Sequence, residues 1–353
     1  MGFPRDELES LLHRLDDRGQ LVHLERLPAR AAVEADLERP LPRALAERLP
    51  PLWSHQARAV DLARSGRSVA VATGTGSGKS LCFQVPIAEA VMRAPGDAAA
   101  LLVYPTKALA HDQLRAFGAL DVPGLVAAPY DGDTDPDARA WVRRHANVVL
   151  TNPDMLHAGI LANHGRWSRF LMRLRYVVLD ELHSLRGIFG THVAQVVRRL
   201  RRLCALYGSD PTFVMGSATV GDPAELGSAI CGTEVEAVLE DGSPRGERLF
   251  ALWNPPLLDP GRGARGSAGV ETAGLLAALV DRGYHGIAFT RSRKGAEVVA
   301  ARAREAVAPA LATSIRPYRS GYLASERREI EEELASGRLR GVSATNALEL
   351  GID

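Results

Sequence analysis

Cysteine is scarce. Only Cys82, Cys204 and Cys231 occur in 353 residues, an odd number without a CxxC pair or a zinc-type Cys/His spacing, so neither a disulfide framework nor a structural zinc site is expected. The three read as reduced, buried thiols of a cytoplasmic chain. Charge of one sign is missing too: Lys+Arg 43 against Asp+Glu 42 leaves +1, so any polyanion must be held by local patches rather than by a global field. No run approaches the roughly 18 uninterrupted apolar residues of a membrane span. The opening MGFPRDELESLLHRLDDRG mixes acids and bases throughout, which excludes a signal-peptide apolar core. No repeat of about 20–50 residues is visible, which argues against a solenoid or propeller.

What is present is the balance of a folded chain. Hydrophobic residues make up 46% and charged residues 24%, and the length suits two ordinary domains or one large one. Leu8, Leu11, Leu12 and Leu15 form a helical stripe that Gly19 ends. LVHL at 21–24 reads as a short strand, and Pro28 to Pro51 as an irregular lead-in, so residues 1–48 form an N-terminal collar rather than a domain. From there the pattern becomes apolar runs separated by helical stretches: SVAVAT (68–73), ALLVYP (100–105), NVVLTN (147–152), YVVLDE (176–181) and TFVMGSAT (212–219). Runs apolar on both faces are parallel strands covered on both sides, so residues 49–250 are expected to be an α/β domain. Residues 251–269, rich in Pro and Gly, suit a linker. A second α/β series follows at 270–353 with helices at 271–282 and 293–308 and strands HGIAFT and GVSATN. It ends short of an ordinary domain's length and is expected to be incomplete.

Two stretches carry chemistry. After the strand SVAVA comes TGTGSGKS (73–80) and then a helical run, the context in which a Gly-rich loop cradles phosphates. Thr75, Gly76, Ser77 and Gly78 would aim backbone N–H groups at phosphate oxygens over a helix N-terminus. Lys79 would bridge the β- and γ-phosphates and Ser80 would hold Mg²⁺. The strict pattern has Gly where this chain has Thr73. The other stretch, YVVLDELH (176–183), ends a strand in two carboxylates, at the sheet edge where ligands bind in open parallel sheets. A lone Asp-Glu pair there suits a helix cap. Downstream of a phosphate loop, Asp180 reads as the Mg²⁺ anchor and Glu181 as the group that orients and deprotonates water. His183 reads as either a structural histidine or a relay.

In order, these stretches resemble superfamily 2 helicases and translocases, from about Trp53 to Asp353. SHQ with Gln56 resembles the segment that reads adenine, with Trp53 either stacked on the base or packed in the core. PTKALA (105–110), TNPD (151–154), SAT (217–219), AFTRSRKGAE (288–297), YRSGY (318–322) and ATNALELGID (344–353) are similar to further motifs of the superfamily. YDGDT (130–134), the stretch 179–203 and DGSPRGERLFALWNPP (241–256) resemble a narrower group, the helicases of the mitomycin repair factor type, relatives of the fungal RecQ-like DNA repair helicase.

The resemblance implies tandem RecA-like domains, the second incomplete, with ATP and Mg²⁺ as cofactors. It also implies 3′-to-5′ movement on single-stranded DNA. ATP would lie against Lys79, Asp180 and Glu181 on one side and Gly351 and Asp353 on the other. Nucleic acid would lie on Pro105, Thr106, Lys107, Thr151, Asn152, Pro153 and Asp154, and on Thr290, Arg291 and Thr345, through contacts to the backbone rather than the bases. Ser217, Ala218 and Thr219, with His183, would couple the two sites. Arg198, Arg199, Arg201 and Arg202 read as a solvated helix face or a DNA groove. The family's four-cysteine zinc site is absent. The chain also stops before the motif that supplies an arginine finger, worth roughly 10³–10⁵ in rate in related NTPases, so these residues alone are expected to hydrolyse ATP weakly. An RNA helicase, or a scaffold that binds nucleotide and nucleic acid without unwinding, are the alternatives.

Overall fold

The structure, a computed structural model, describes residues 5–105, 107–218, 220–259 and 261–348. Its strands in chain order are β1 (Leu21–Leu27), β2 (Ser68–Ala72), β3 (Ala99–Val103), β4 (Ala127–Pro129), β5 (Val148–Thr151), β6 (Leu174–Leu179), β7 (Thr212–Ser217), β8 (Val235–Val238), β9 (Arg248–Trp253), β10 (Leu257–Asp259), β11 (Ala264–Arg265), β12 (Gly286–Phe289), β13 (Ile315–Tyr318) and β14 (Gly341–Ala344).

Two units form. Residues 30–245 build a parallel sheet in the order β4-β5-β3-β6-β7-β2-β8. The five expected strands are its β2, β3, β5, β6 and β7, and β2, β3 and β5 are buried at every position. Burial on both faces is what apolar runs without alternation require. One face packs Trp167, Phe170, Leu200 and Phe213, and the other Phe83, Ile87, Tyr104 and Phe117. Strand order places the ends of β6, β7 and β2 side by side, with β3 and β5 next to them on the same edge. That adjacency positions the site.

The second unit contains residues 246 onward together with the segment before residue 30. Its parallel sheet runs β12-β14-β13, covered by the helices Ala268–Asp281 and Arg293–Ala306 through Leu276, Val280, Val299 and Ala303. The α/β class is thus borne out in both units.

The collar and the linker read differently from expectation. Residues 1–48 do not act as one body: β1 pairs antiparallel with β9, whereas Arg30 and Val33 bond to Arg245 and Gly242. The stretch 251–269 is not structureless either, because β9 runs to Trp253, β10 pairs with β11, and the helix starts at Ala268. The reason lies in partners. RLFALW alternates exposed and half-buried positions and gains cross-strand pairs only from a segment more than 200 residues earlier. The Trp253 indole then donates to Glu271 Oε2 at 2.8 Å, fixing β9 to the following helix.

Candidate nucleotide and nucleic-acid site

The Gly-rich loop leaves β2 and enters the helix Leu81–Arg93. Gly76 and Gly78 have φ of 73° and 63°, a left-handed conformation that only glycine adopts freely, and it curls the loop. Thr73, where the strict pattern has glycine, closes the loop instead: its hydroxyl lies 2.6 Å from that of buried Ser77. The Lys79 ammonium donates to Gly74 O at 2.9 Å and Thr73 O at 3.3 Å, placing a cation at the loop's centre. Thr75, Gly76 and Gly78 are exposed around it.

Behind the loop stand residues that the sequence reading placed elsewhere or missed. The Gln56 amide donates to Gly78 O and accepts from the Trp53 N–H, both at 2.9 Å. With both ends engaged and the residue buried, Gln56 supports the loop. Trp53 packs on the same turn, for a β-carbon on Gly78 would lie 3.1 Å from its ring. His55, missed altogether, lies with Nε2 2.8 Å from Ser77 O, and its Nδ1 accepts the Gly242 N–H at 3.2 Å. Only the neutral tautomer with the proton on Nε2 satisfies both bonds, and burial lowers the imidazole's pKa accordingly. Arg245 covers Gly74, where a β-carbon would clash with its guanidinium, and Arg245 is ion-paired to Asp241. Burial works upward on the Asp241 carboxyl, but Ser243 and Arg245 outweigh it and hold it below the usual carboxylate range.

Asp180 follows β6 and sits over β7. Gly216 there has no side chain because a β-carbon would clash with Asp180 Oδ1. Burial, and then the Glu181 charge, push the Asp180 carboxyl up to about 6. Such a carboxylate gains from a cation. Tyr104, fully buried and within electrostatic reach of Asp180, keeps its hydroxyl without a hydrogen-bond partner among the described residues. The Asp180 carboxylate and the Ser80 hydroxyl are oxygen donors of the kind a hard divalent ion takes while it keeps several waters. Glu181 takes φ 54° and ψ 44°, a left-handed conformation costing about 1–3 kcal/mol in a residue with a side chain. Its N–H bonds Asp180 Oδ1 at 2.9 Å, and its carboxylate reaches His183 Nδ1 at 3.3 Å. The coupling expected of Ser217 takes another route. Among the described residues its buried hydroxyl has no hydrogen-bond partner, and a link to the 180–183 loop is the Ala218 N–H bonding His183 Nδ1 at 3.2 Å.

On the neighbouring strand ends, the expected nucleic-acid residues divide. Pro105 and Asn152 are half-buried and Asp154 is exposed beside the paired ends of β3 and β5. Asn152 caps the short helix beginning at Pro153, its side chain accepting from the Met155 N–H at 2.8 Å. Thr151 is buried with its hydroxyl donating to Tyr130 O at 2.7 Å, so it orders the edge rather than meeting phosphate. Lys107 opens the helix Lys107–Ala119. In the second unit Thr290 and Thr345 follow the paired strands β12 and β14. Thr345 is buried, the Thr290 hydroxyl is directed at Ala344 O at 3.2 Å, and Arg291 is exposed. Arg201 bonds Cys231 O and Gly232 O at the end of the helix Pro223–Cys231, Arg198 bonds Ala229 O of the same helix, and Arg199 bonds Leu161 O, so three of the four arginines serve packing. Thr106, Thr219, Gly351 and Asp353 lie outside the described residues.

Residues 53–226 match the family of the DEAD/DEAH box helicase. The chain carries a DEAD/DEAH box helicase domain. It is 39% identical over 362 residues to the ATP-dependent helicase YprA of Bacillus subtilis, covering 99% of this chain and 48% of YprA. It is 41% identical over 313 residues to the ATP-dependent helicase HRQ1 of Saccharomyces cerevisiae, covering 85% and 29%. Among solved structures, the DUF1998 helicase MrfA bound to DNA superposes with a TM-score of 0.91 at 38% identity, covering 98% of this chain and 47% of that one. The chain spans half or less of the length of these relatives. Within the helicase domain, no helix among the described residues is long and apolar enough to cross a membrane.

Proposed function

We propose that this chain is the ATP-dependent motor portion of a DNA helicase or translocase that moves 3′ to 5′ on single-stranded DNA in DNA repair. The observation that carries this reading is one sheet edge. There the loop holding Lys79, the carboxylates Asp180 and Glu181, and the Asn152–Asp154 turn stand on the contiguous strands β2, β7, β6, β3 and β5. What supports DNA over RNA is the 38% identity to MrfA, whose structure is bound to DNA. The three cysteines, free and buried, suit a reducing compartment such as the cytoplasm.

In this reading the backbone N–H groups of Thr75 to Gly78 and the Lys79 ammonium bind the phosphates. Ser80 and Asp180 hold magnesium, which when bound supplies Lewis-acid charge at the phosphate oxygens. Glu181 orients the attacking water and takes its proton, and His183, whose Nδ1 accepts the Ala218 N–H and lies beside the Glu181 carboxylate, passes the state of the nucleotide to the strand-end loops. Half-buried Asn152 and exposed Asp154 in the first unit belong to a surface that meets the nucleic-acid backbone, and exposed Arg291 in the second unit does so on its own edge.

The test is ATP hydrolysis by the full-length protein without polymer, then with single-stranded DNA, duplex DNA or RNA at low salt. Stimulation by single-stranded DNA above RNA is expected. Stimulation by RNA would make it an RNA helicase, and no stimulation a non-motor scaffold.

A further inference from the structure

Ser80 does not stand alone at the start of its helix. Gln113, on the helix Lys107–Ala119, donates from Nε2 to Ser80 Oγ at 2.8 Å, and Gln84 donates from its own Nε2 to Gln113 Oε1 at 2.8 Å. Gln84 is buried and lies one helical turn beyond Ser80, so it shares that residue's face. The result is a relay of two side-chain amides that ends on a hydroxyl oxygen.

A serine hydroxyl has two lone pairs and one proton. The Gln113 N–H engages one lone pair and leaves the other free, while the direction of the hydrogen bond fixes where the oxygen points. An unsupported serine at this position would divide its time among rotamers, and a hard cation with strict geometry gains from an oxygen already in place. The bond from Gln84 holds the Gln113 amide with its nitrogen toward Ser80. Gln113 also stands six residues into the helix that opens at Lys107, on the strand-end loop assigned to nucleic acid. The metal side of the nucleotide site is therefore tied directly to that helix.

We infer that Gln113, held by Gln84, is a positioning residue that presets Ser80 for the metal of a metal–nucleotide complex. The inference rests on the reading of Ser80 as a metal-binding residue. It requires no contact of Gln113 with nucleotide or metal, so its removal acts on the metal-dependent part of binding alone.

The test is titration of the protein with a fluorescent ADP analogue, once with magnesium and once with EDTA, on the parent and on Gln113→Leu, Gln84→Leu and Ser80→Ala. The ratio of the two dissociation constants measures the metal-dependent gain. Gln113→Leu is expected to reduce that gain at least fivefold while its affinity in EDTA stays within twofold of the parent. Gln84→Leu, which frees the Gln113 amide to turn, is expected to reduce it less. A full gain in Gln113→Leu beside a lost gain in Ser80→Ala overturns the relay and leaves the metal reading standing. Equal weakening of Gln113→Leu with and without magnesium also overturns the relay, since it marks a merely structural role. A full gain in Ser80→Ala, or none in the parent, overturns the metal reading and the relay with it. Thermal melting of each variant verifies that the differences belong to folded protein.

Discussion

His55 Nε2 lies 2.8 Å from the carbonyl oxygen of Ser77, so a histidine 22 residues before Ser77 supports the residue at the loop's core. Its other nitrogen accepts from Gly242, 187 residues beyond His55, joining the loop to that segment. A proton on Nδ1 would destroy that acceptor.

The consequence is a defined pH dependence. Burial lowers the folded-state pKa of His55 below the 6.5 of a free imidazole. The fold thus binds fewer protons here than the unfolded chain. The contribution is complete above about pH 6.5 and is lost as pH falls below it. His55→Leu offers the Gly242 N–H no acceptor, and at pH 8 it is expected to cost about 1–2 kcal/mol for the unsatisfied N–H. The difference from the parent in denaturant midpoint should shrink from pH 8 to pH 5. An undiminished difference would show that His55 does not titrate in this window.

Asp180 gives the opposite sign. Its carboxyl is raised to about 6 by burial and by Glu181, so the nucleotide-free fold disfavours the charge, and stability is lost as pH rises from about 4 through 6. Asp180→Asn removes the charge while keeping the shape. Without nucleotide it is expected to stabilise the protein by on the order of 2 kcal/mol at pH 8 and by little at pH 4. Thermal melting at the two pH values reads the difference. Stabilisation at the expense of metal affinity is the trade expected of a functional carboxylate.

Much of this site was legible because its signals are local. TGTGSGKS and YVVLDELH each combine a buried strand with the residues that follow it, and the structure places both on adjacent strand ends. The short β8 and β13 were not legible. VEAV has buried ends and a polar or exposed middle, and Pro interrupts IRPY, so neither shows a strand's apolar period. Gln56 was assigned from its neighbours' resemblance, whereas its two bonds depend on where Gly78 turns. His55, Arg245 and Gln113 act through partners 22 to 187 residues away, which no window along the chain contains. The antiparallel pairing of β1 with β9 escaped for the same reason.

Gly216 is the glycine with the sharpest consequence. Its strand is fully buried, and a methyl group there would meet the Asp180 carboxylate. Gly216→Ala must displace Asp180 or bend β7, and overpacking of this kind costs about 1–3 kcal/mol. Displacement of Asp180 is the easier response, because a side chain moves more readily than a central strand. Gly216→Ala is expected to remain folded, with ATP hydrolysis reduced at least tenfold and nucleotide binding in EDTA nearly unchanged. Unchanged hydrolysis would mean that Asp180 acts from another position.

Lys79 and Glu181 separate binding from turnover. Lys79 is the cation at the centre of the loop, bonded to the carbonyls of Thr73 and Gly74. In Lys79→Ala those carbonyls face the incoming phosphates with no cation between them, so nucleotide affinity is expected to fall by two orders of magnitude or more. Charge-assisted bonds to phosphate are worth roughly 1.5–3 kcal/mol each, and the ammonium reaches two phosphates in the proposed pose. Glu181 follows Asp180 beyond the end of β6. Its carboxylate meets His183, and its strained backbone sets it at the end of β6. Glu181→Gln keeps the size and the backbone geometry but cannot take a proton from water. It is expected to bind ATP with parental affinity and to hydrolyse it at least a hundredfold more slowly, within the 10²–10⁴ range of general-base catalysis. A Glu181→Gln protein that hydrolyses ATP at the parental rate would move the base to another residue. A Lys79→Ala protein with unchanged affinity would remove the loop from nucleotide binding altogether.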